Sequence, residues 1–329
     1  MENYFFGMDL GGTNVVIVLM DATGKMLARR SEPTKVSLGP ASLVERTADA
    51  CKTLLAECKI EMSNVKGIGI GSPGPLSRSQ GRLIKLGNLP GFDNFPLRPE
   101  LSRRLAVPAV LDNDANAACW GEFWQGAGKN VRDMVMFTLG TGIGGGIVCD
   151  GTLIHGSDDN GAELGHLVIQ MGGRLCTCGQ HGCVEAYASA TGTTARAQEL
   201  LDAGRDSSLA QVYQNAGKLT AKDVFDHAQA GDALALEVVD GTAQALALTS
   251  VNMRHVTEPE LVVLAGGMIN AGDFLLNKVR ESFHKQMWAL RHESMEIVYA
   301  TLGENAGAIG AAGLALYAFE HDQLYDAGT

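Results

Sequence analysis

No apolar run in this sequence approaches the length of a membrane span, so nothing in it reads as a transmembrane helix. No basic stretch precedes the strand-like opening Met1 to Phe6, where a secretory leader would require one. Basic residues are in deficit: 26 Lys and Arg face 37 Asp and Glu, for a net charge of -11 and a pI near 5.2. That balance lacks the electrostatic footprint of a nucleic-acid binder, and no helix reads as basic. The signature G-x-x-x-x-G-K-[ST] is absent, and no G-x-G-x-x-G opens a βαβ unit with an acidic residue in the expected place. P-loop and dinucleotide-binding enzymes are thereby excluded. What remains is a soluble, cytoplasmic protein whose partners are small molecules, with neither nucleic acid nor membrane among them. With 329 residues, 46% of them apolar, the chain has material for two domains or one large one.

Cysteine, by contrast, is present and clustered. Of seven cysteines, Cys176, Cys178 and Cys183 fall within eight positions, ten residues after His166. One imidazole nitrogen and three thiolates form the tetrahedral set that zinc prefers, and Gly179 and Gly182 let a short loop turn its sulfurs inward. Four strong ligands leave no position for water, so the zinc is expected to be structural. A disulfide is the rival reading; the odd cysteine count and the missing leader favour a reducing compartment instead. Cys51, Cys58, Cys119 and Cys149 read as small buried hydrophobes.

Periodicity gives an α/β chain. Tyr4 to Met8 reads as a strand, Asp9 to Asn14 as a turn, Val15 to Met20 as a second strand, and a third follows Gly24. A helix is predicted from Ala41 to Lys59 with Val44, Ala48, Cys51, Leu55 and Cys58 on one face, then strands at Gly67 to Gly71 and Pro108 to Leu111. A further helix is expected to start within Asp112 to Ala118. Near residue 133 the opening layout returns: strand Met134 to Thr138, glycine turn Leu139 to Gly146, strand Ile147 to Cys149. This repeat predicts a duplicated fold whose halves face each other across a ligand cleft. Helices are predicted from Ala188 to Leu201 and Ala233 to Arg254, a buried strand at Leu261 to Leu264, and an alanine-rich helix from Ala306 to Phe319.

Three glycine turns, at Gly11-Gly12, at Gly140 through Gly146 and at Gly266-Gly267, each follow an apolar strand, where backbone amides approach phosphate oxygens closely. Together they point to a nucleotide. Asp114, at a strand's carboxyl end and a helix start, is the expected general base; helix N-capping is the competing role, shared with Asp112 and Asn113. An N-cap setting would lower its pKa, which phosphoryl transfer tolerates because positioning dominates that reaction. Asp9 is the candidate for a water-mediated hold on Mg²⁺. Glu163, His166 and Glu185 form a second polar group pinned by the zinc loop, suited to a polyhydroxylated substrate; solvated surface glutamates are the alternative.

Taken together, these segments resemble the ROK family of sugar kinases and repressors, within the actin-like ATPase superfamily. The resemblance rests first on Glu163-Leu164-Gly165-His166 followed by Cys176-Thr177-Cys178-Gly179-Gln180-His181-Gly182-Cys183-Val184-Glu185. Asp9 to Thr13, Pro73-Gly74-Pro75, Asn88 to Gly91, Asp112 to Asn116, Leu139 to Gly146 and Gly266-Gly267 add to it. It implies a two-domain actin-like, ribonuclease H-like α/β fold: residues 1–115 as a smaller domain joined by the last helix, about 306–329, and residues 116–305 as a larger one with the zinc loop. It implies Asp114 as the base that takes the proton of a hexose 6-hydroxyl attacking the γ-phosphate of ATP. Sugar contacts would come from Gly74, Asn88, Asn113, Glu163, His166 and Glu185. Asp9, Gly11, Gly12, Thr13, Asn14, Thr141 and Gly142 would line the phosphates and Mg²⁺, with Gly266 and Gly267 near the adenosine. Glucose is the expected sugar, with N-acetylmannosamine, N-acetylglucosamine, fructose and allose as alternatives, and a homodimer is the expected assembly. Two departures are visible: Asn14 where many members have lysine, and Ala162 where glycine usually precedes the glutamate. The family's repressors carry a helix-turn-helix before the Asp-Leu-Gly-Gly-Thr motif, for which eight residues ahead of Asp9 leave no room.

Overall fold

The computed structural model describes residues 2–87, 89–287 and 295–325. Strands β1 (Tyr4–Leu10), β2 (Asn14–Asp21) and β3 (Met26–Pro33) form an antiparallel meander. Helix α1 (Gly39–Cys58) leads to β4 (Val65–Ser72), followed by the hairpin β5 (Leu76–Ser77) and β6 (Arg82–Leu83), α2 (Leu97–Leu105) and β7 (Ala109–Asn113). The sheet order is β3-β2-β1-β4-β7, with β1, β4 and β7 parallel. Val44, Ala48, Cys51 and Leu55 are buried along α1, while Cys58 at its end is half-buried.

After α3 (Asp114–Gln125) the plan repeats. Strands β8 (Met134–Leu139), β9 (Ile143–Cys149) and β10 (Thr152–Leu153) form a second meander. The zinc-type loop and helices α4 (Glu185–Ala188), α5 (Ala190–Asp202), α6 (Leu209–Ala216), α7 (Ala221–Gln229) and α8 (Ala233–Val256) precede β11 (Leu261–Ala265). Then come α9 (Asp273–Gln286), β12 (Glu296–Tyr299) and α10 (Ala306–Glu320). This sheet runs β10-β9-β8-β11-β12, again with three parallel strands, so the two sheets share one topology. The predicted duplication is present.

The glycine run differs from the sequence reading. Only Gly140, Thr141 and Gly142 make the turn; β9 starts at Ile143 and includes Gly144 to Gly146. A Cβ at Gly146 would lie 2.4 Å from Cys119 Cβ, so glycine there lets α3 lie directly on β9. A run that reads as a turn is a strand shaved flat for a helix.

Helices α3 and α10 follow the last strands of their respective sheets, and each also packs on the opposite sheet: α3 on β9, α10 on β1 and β4. They meet each other at small residues, where a Cβ on Gly310 would fall 1.6 Å from the Ala117 carbonyl oxygen. Buried on nearly every side, α10 is apolar all round without an amphipathic stripe. The 24-residue α8 meets a membrane span in length and composition, which the sequence reading did not anticipate; 67% of its most apolar window is buried within the second half. Phe225, Leu234, Val238 and Leu246 share that core.

Candidate active site

The glycine turns and the predicted base sit at the carboxyl ends of parallel strands. Asp9 is the penultimate residue of β1, Asn113 ends β7, Leu139 ends β8 before Gly140, and Ala265 ends β11 before Gly266. Parallel sheets expose these edges as ligand crevices, because the following turns leave strand-end groups uncovered.

At the edge of the first sheet stand two carboxylates. The N-cap of α3 is Asn113, whose side chain accepts from the amides of Ala115 at 2.9 Å and Asn116 at 3.3 Å. Asp114 is instead the first residue of the helix, with Oδ1 2.8 Å from the Ala115 amide. Its pKa is raised, because burial outweighs those backbone donors. The lowered pKa predicted from an N-cap setting is thus corrected: Asp114 is not the cap, and it is the more basic for it. Asp9 is pushed up to about 7, first by burial and then by repulsion from Asp114. No basic side chain is paired with either carboxylate among the described residues. Two half-buried, mutually repelling oxygen donors without a protein cation suit a hard divalent ion such as Mg²⁺. Gly74 adjoins this edge; a Cβ there would lie 3.5 Å from Asn113 Nδ2. Asn88 lies outside the described residues.

The turns are held by their own backbone. Gly11 donates to the Asn14 carbonyl at 2.9 Å, leaving Gly12, Thr13 and Asn14 exposed at the cleft. Fully buried Thr34 braces this turn: its hydroxyl donates to the Gly11 carbonyl at 2.6 Å and its amide to the Thr13 carbonyl at 2.8 Å. Sequence reasoning missed Thr34, which lies on another segment and in no motif. The equivalent turn closes with Gly140 donating to the Gly142 carbonyl at 3.0 Å. Gly140, Thr141 and Gly267 open onto a cavity of 520 Å³ whose far wall comes from α7, including Lys222, Phe225 and Gln229. Gly266 has φ 89°, a conformation that favours glycine, and a Cβ there would lie 2.5 Å from the Leu139 carbonyl oxygen.

In the zinc-type loop the four donor atoms of His166, Cys176, Cys178 and Cys183 lie within 4.8 Å of one another. Cys178 and Cys183 sulfurs are 3.8 Å apart, as are Cys176 Sγ and His166 Nδ1. A tetrahedron with Zn–S bonds of about 2.3 Å has edges of about 3.8 Å, so the set fits zinc. A disulfide would need about 2.05 Å, and all seven cysteines are free. Glu185 links this loop to the second sheet: it accepts from the Ile143 amide at 2.9 Å and from the Thr177 hydroxyl at 2.8 Å. Glu163 is exposed, two residues after the half-buried turn residue Gly161, and Ala162 before it takes φ 61°. That left-handed conformation explains why glycine is the easier residue at this position.

Comparison with known proteins agrees with this geometry. The ROK family profile matches residues 5–318. A glucokinase of Halalkalibacterium halodurans is 38% identical over 95% of both chains. An N-acetylmannosamine kinase of Citrobacter koseri is 34% identical, over 94% of this chain and 97% of its own. The crystal structure of a ROK hexokinase from Thermus thermophilus superposes with a TM-score of 0.84 at 30% identity, covering 97% of this chain and 99% of that one. A doubled actin-like scaffold, strand-end carboxylates in its first half and a His-Cys₃ loop in its second are thus found in a chain that belongs to the ROK family.

Proposed function

We propose that this protein transfers the γ-phosphoryl group of ATP to the 6-hydroxyl of a hexose, with glucose preferred. The chain is an ATP-dependent sugar kinase; the sugar and the residue roles are the inference. The observation that carries it is the pair Asp9 and Asp114, two half-buried carboxylates at the carboxyl edge of the first sheet, on β1 and just after β7 with β4 between them, close enough for the charge of one to raise the pKa of the other. Asp114, made more basic by burial, accepts the proton of the sugar hydroxyl as its oxygen bonds to the γ-phosphorus. The bond from that phosphorus to the β-bridging oxygen breaks, ADP leaves, and Asp114 returns its proton to solvent.

Asp9 would hold Mg²⁺, which supplies charge neutralisation on the phosphates. The turns of Gly11, Gly12, Thr13, Asn14, Thr141 and Gly142 would cradle them, and Gly266, Gly267 and the 520 Å³ cavity would take the nucleoside. Gly74, Asn88, Asn113, Glu163, His166 and Glu185 would read the sugar. Structural Zn²⁺ on His166, Cys176, Cys178 and Cys183 would fix that wall. Residues 1–115 with the last helix and residues 116–305 would close as two lobes to exclude water. We expect a cytoplasmic homodimer, which light scattering after size-exclusion chromatography checks.

The test is a coupled ADP-release assay over glucose, N-acetylmannosamine, N-acetylglucosamine, fructose and allose. The highest kcat/KM with glucose supports the proposal. A clear preference for an acetylated amino sugar assigns that specificity instead, and no ADP with any sugar sinks the reading.

A further inference from the structure

Asp112, one residue before Asn113 and two before Asp114, is 2% exposed and takes no part in the chemistry above. Its Oδ1 accepts from the Asn113 amide at 2.8 Å and from Asn116 Nδ2 at 3.1 Å, tying it to the capped start of α3. Its Oδ2 faces two cationic or donor groups from elsewhere: His155 Nε2 at 2.7 Å and Arg78 Nε at 3.0 Å. His155 belongs to the second half, two residues beyond β10 on the segment that runs to Glu163 and His166. Arg78 belongs to the first half, in the hairpin turn after Gly74. Arg78 also reaches forward: its amide donates to Asp159 Oδ2 at 3.0 Å, and its guanidinium lies 3.6 Å from Asp159 Oδ1.

Three segments therefore converge on one buried carboxylate: the strand end bearing Asn113 and Asp114, the hairpin after Gly74, and the loop before Glu163. A charge this deeply buried is stable only while its partners stay in place, so any closing of the lobes pivots about this point and leaves the three segments together. The network borders a cavity of 540 Å³ also lined by Trp120 and Tyr317, so the side of Asp112 away from the cleft is not packed solid.

We propose that His155 and Arg78 are positioning residues which, through Asp112, form an interlobe latch that sets Asp114 against the sugar hydroxyl. This rests on the reading of Asp114 as the base. The latch places the sugar-reading loop and the base on one rigid unit, so a sugar seated against Glu163 and His166 is seated against Asp114 as well. A misplacement of about 1 Å at such a site costs on the order of 100-fold in rate.

The experiment compares His155→Ala, His155→Gln and wild type. For His155→Ala we expect kcat to fall about 10- to 100-fold while KM for sugar and ATP stays within about threefold. Gln keeps an N–H toward Asp112 and should recover most of the rate. Added imidazole, which the adjoining cavity has room to admit, should restore part of the Ala variant's kcat and leave wild-type kcat unchanged. Unchanged kcat in the Ala variant overturns the latch. So does a loss that neither Gln nor imidazole repairs, accompanied by a matching fall in Tm, because that is a folding role only. Hydrogen exchange of the unliganded protein keeps the two readings apart. Faster exchange at residues 76–83 and 154–161 in His155→Ala supports the latch even if wild type phosphorylates no sugar, an outcome that would sink the kinase assignment alone; unchanged exchange there counts against the latch.

Discussion

Asp9 in β1 and Thr138 in β8 occupy the same place in equivalent strands, each one residue before the leucine that ends its strand. Thr138 uses its hydroxyl internally, accepting from the Gly144 amide at 3.1 Å, whereas the Asp9 carboxylate faces Asp114. The last strands diverge in the same way: β7 runs into Asn113 and Asp114, while β12 ends in Tyr299, whose hydroxyl donates to the Gly272 carbonyl at 2.8 Å. One half carries uncompensated charge at its edge; the other ties its polar groups down and offers glycine turns and a cavity. Duplication thus supplied two copies of an edge, and under the proposed roles their divergence separates proton and metal chemistry from nucleotide accommodation.

That division can be broken from either side. Asp114→Ala should lower kcat by about 10³-fold with sugar affinity little changed, read by ADP release and calorimetry; near-normal turnover would remove Asp114 from its role. Stripping the zinc-type loop with a chelator should lower Tm by roughly 10 °C and abolish sugar binding before nucleotide binding. Elemental analysis should find about one zinc per chain beforehand, and a metal-free protein of full stability would refute the site.

Asp9→Asn sharpens the contrast in stability. Because the folded-state pKa of Asp9 is raised to about 7 from 3.8, its contribution to stability is intact below about pH 4 and is lost as pH rises through 7. The amide should therefore raise stability at pH 8, by up to roughly 4 kcal/mol, and leave it unchanged near pH 3.5, in denaturant titrations. No gain at pH 8 would mean that the carboxylate is already compensated. The smallest effects separate two kinds of glycine. Gly146→Ala should destabilise by about 1–3 kcal/mol with KM for ATP unchanged, since its Cβ meets Cys119. Gly142→Ala presses on the Glu185 carboxylate that holds Ile143 and Thr177, so it should raise KM for ATP roughly fivefold and KM for the sugar with it, at a smaller cost in Tm. Identical behaviour of the two variants would erase the distinction.

Much of this was legible because it is local. Alternating apolar residues marked β1, β2 and β8, the repeat exposed the duplication, and four donors in eighteen positions marked the His-Cys₃ cluster. What escaped depends on distance along the chain. Gly144 to Gly146 read as a turn because their reason for being glycine lies in α3 and Leu164, not beside them. The sign of the Asp114 shift depended on burial, which no motif encodes. Lys222, Phe225 and Gln229 line the 520 Å³ cavity from a helix that carries no motif, and α2, α6, α7 and α9 were not predicted at all. Asp112 meets Arg78 and His155 only after both halves have folded.

The exchange of α3 and α10 between sheets bears on the order of synthesis. Phe5, Val18 and Met20, on the first sheet, find their cover in Ala308, Ile309, Ala312 and Leu316. During vectorial translation that face must therefore wait, bare, for nearly three hundred further residues to emerge. The first half to be made is the last to be finished, and nascent chains stalled before residue 306 should be the species that chaperones hold longest.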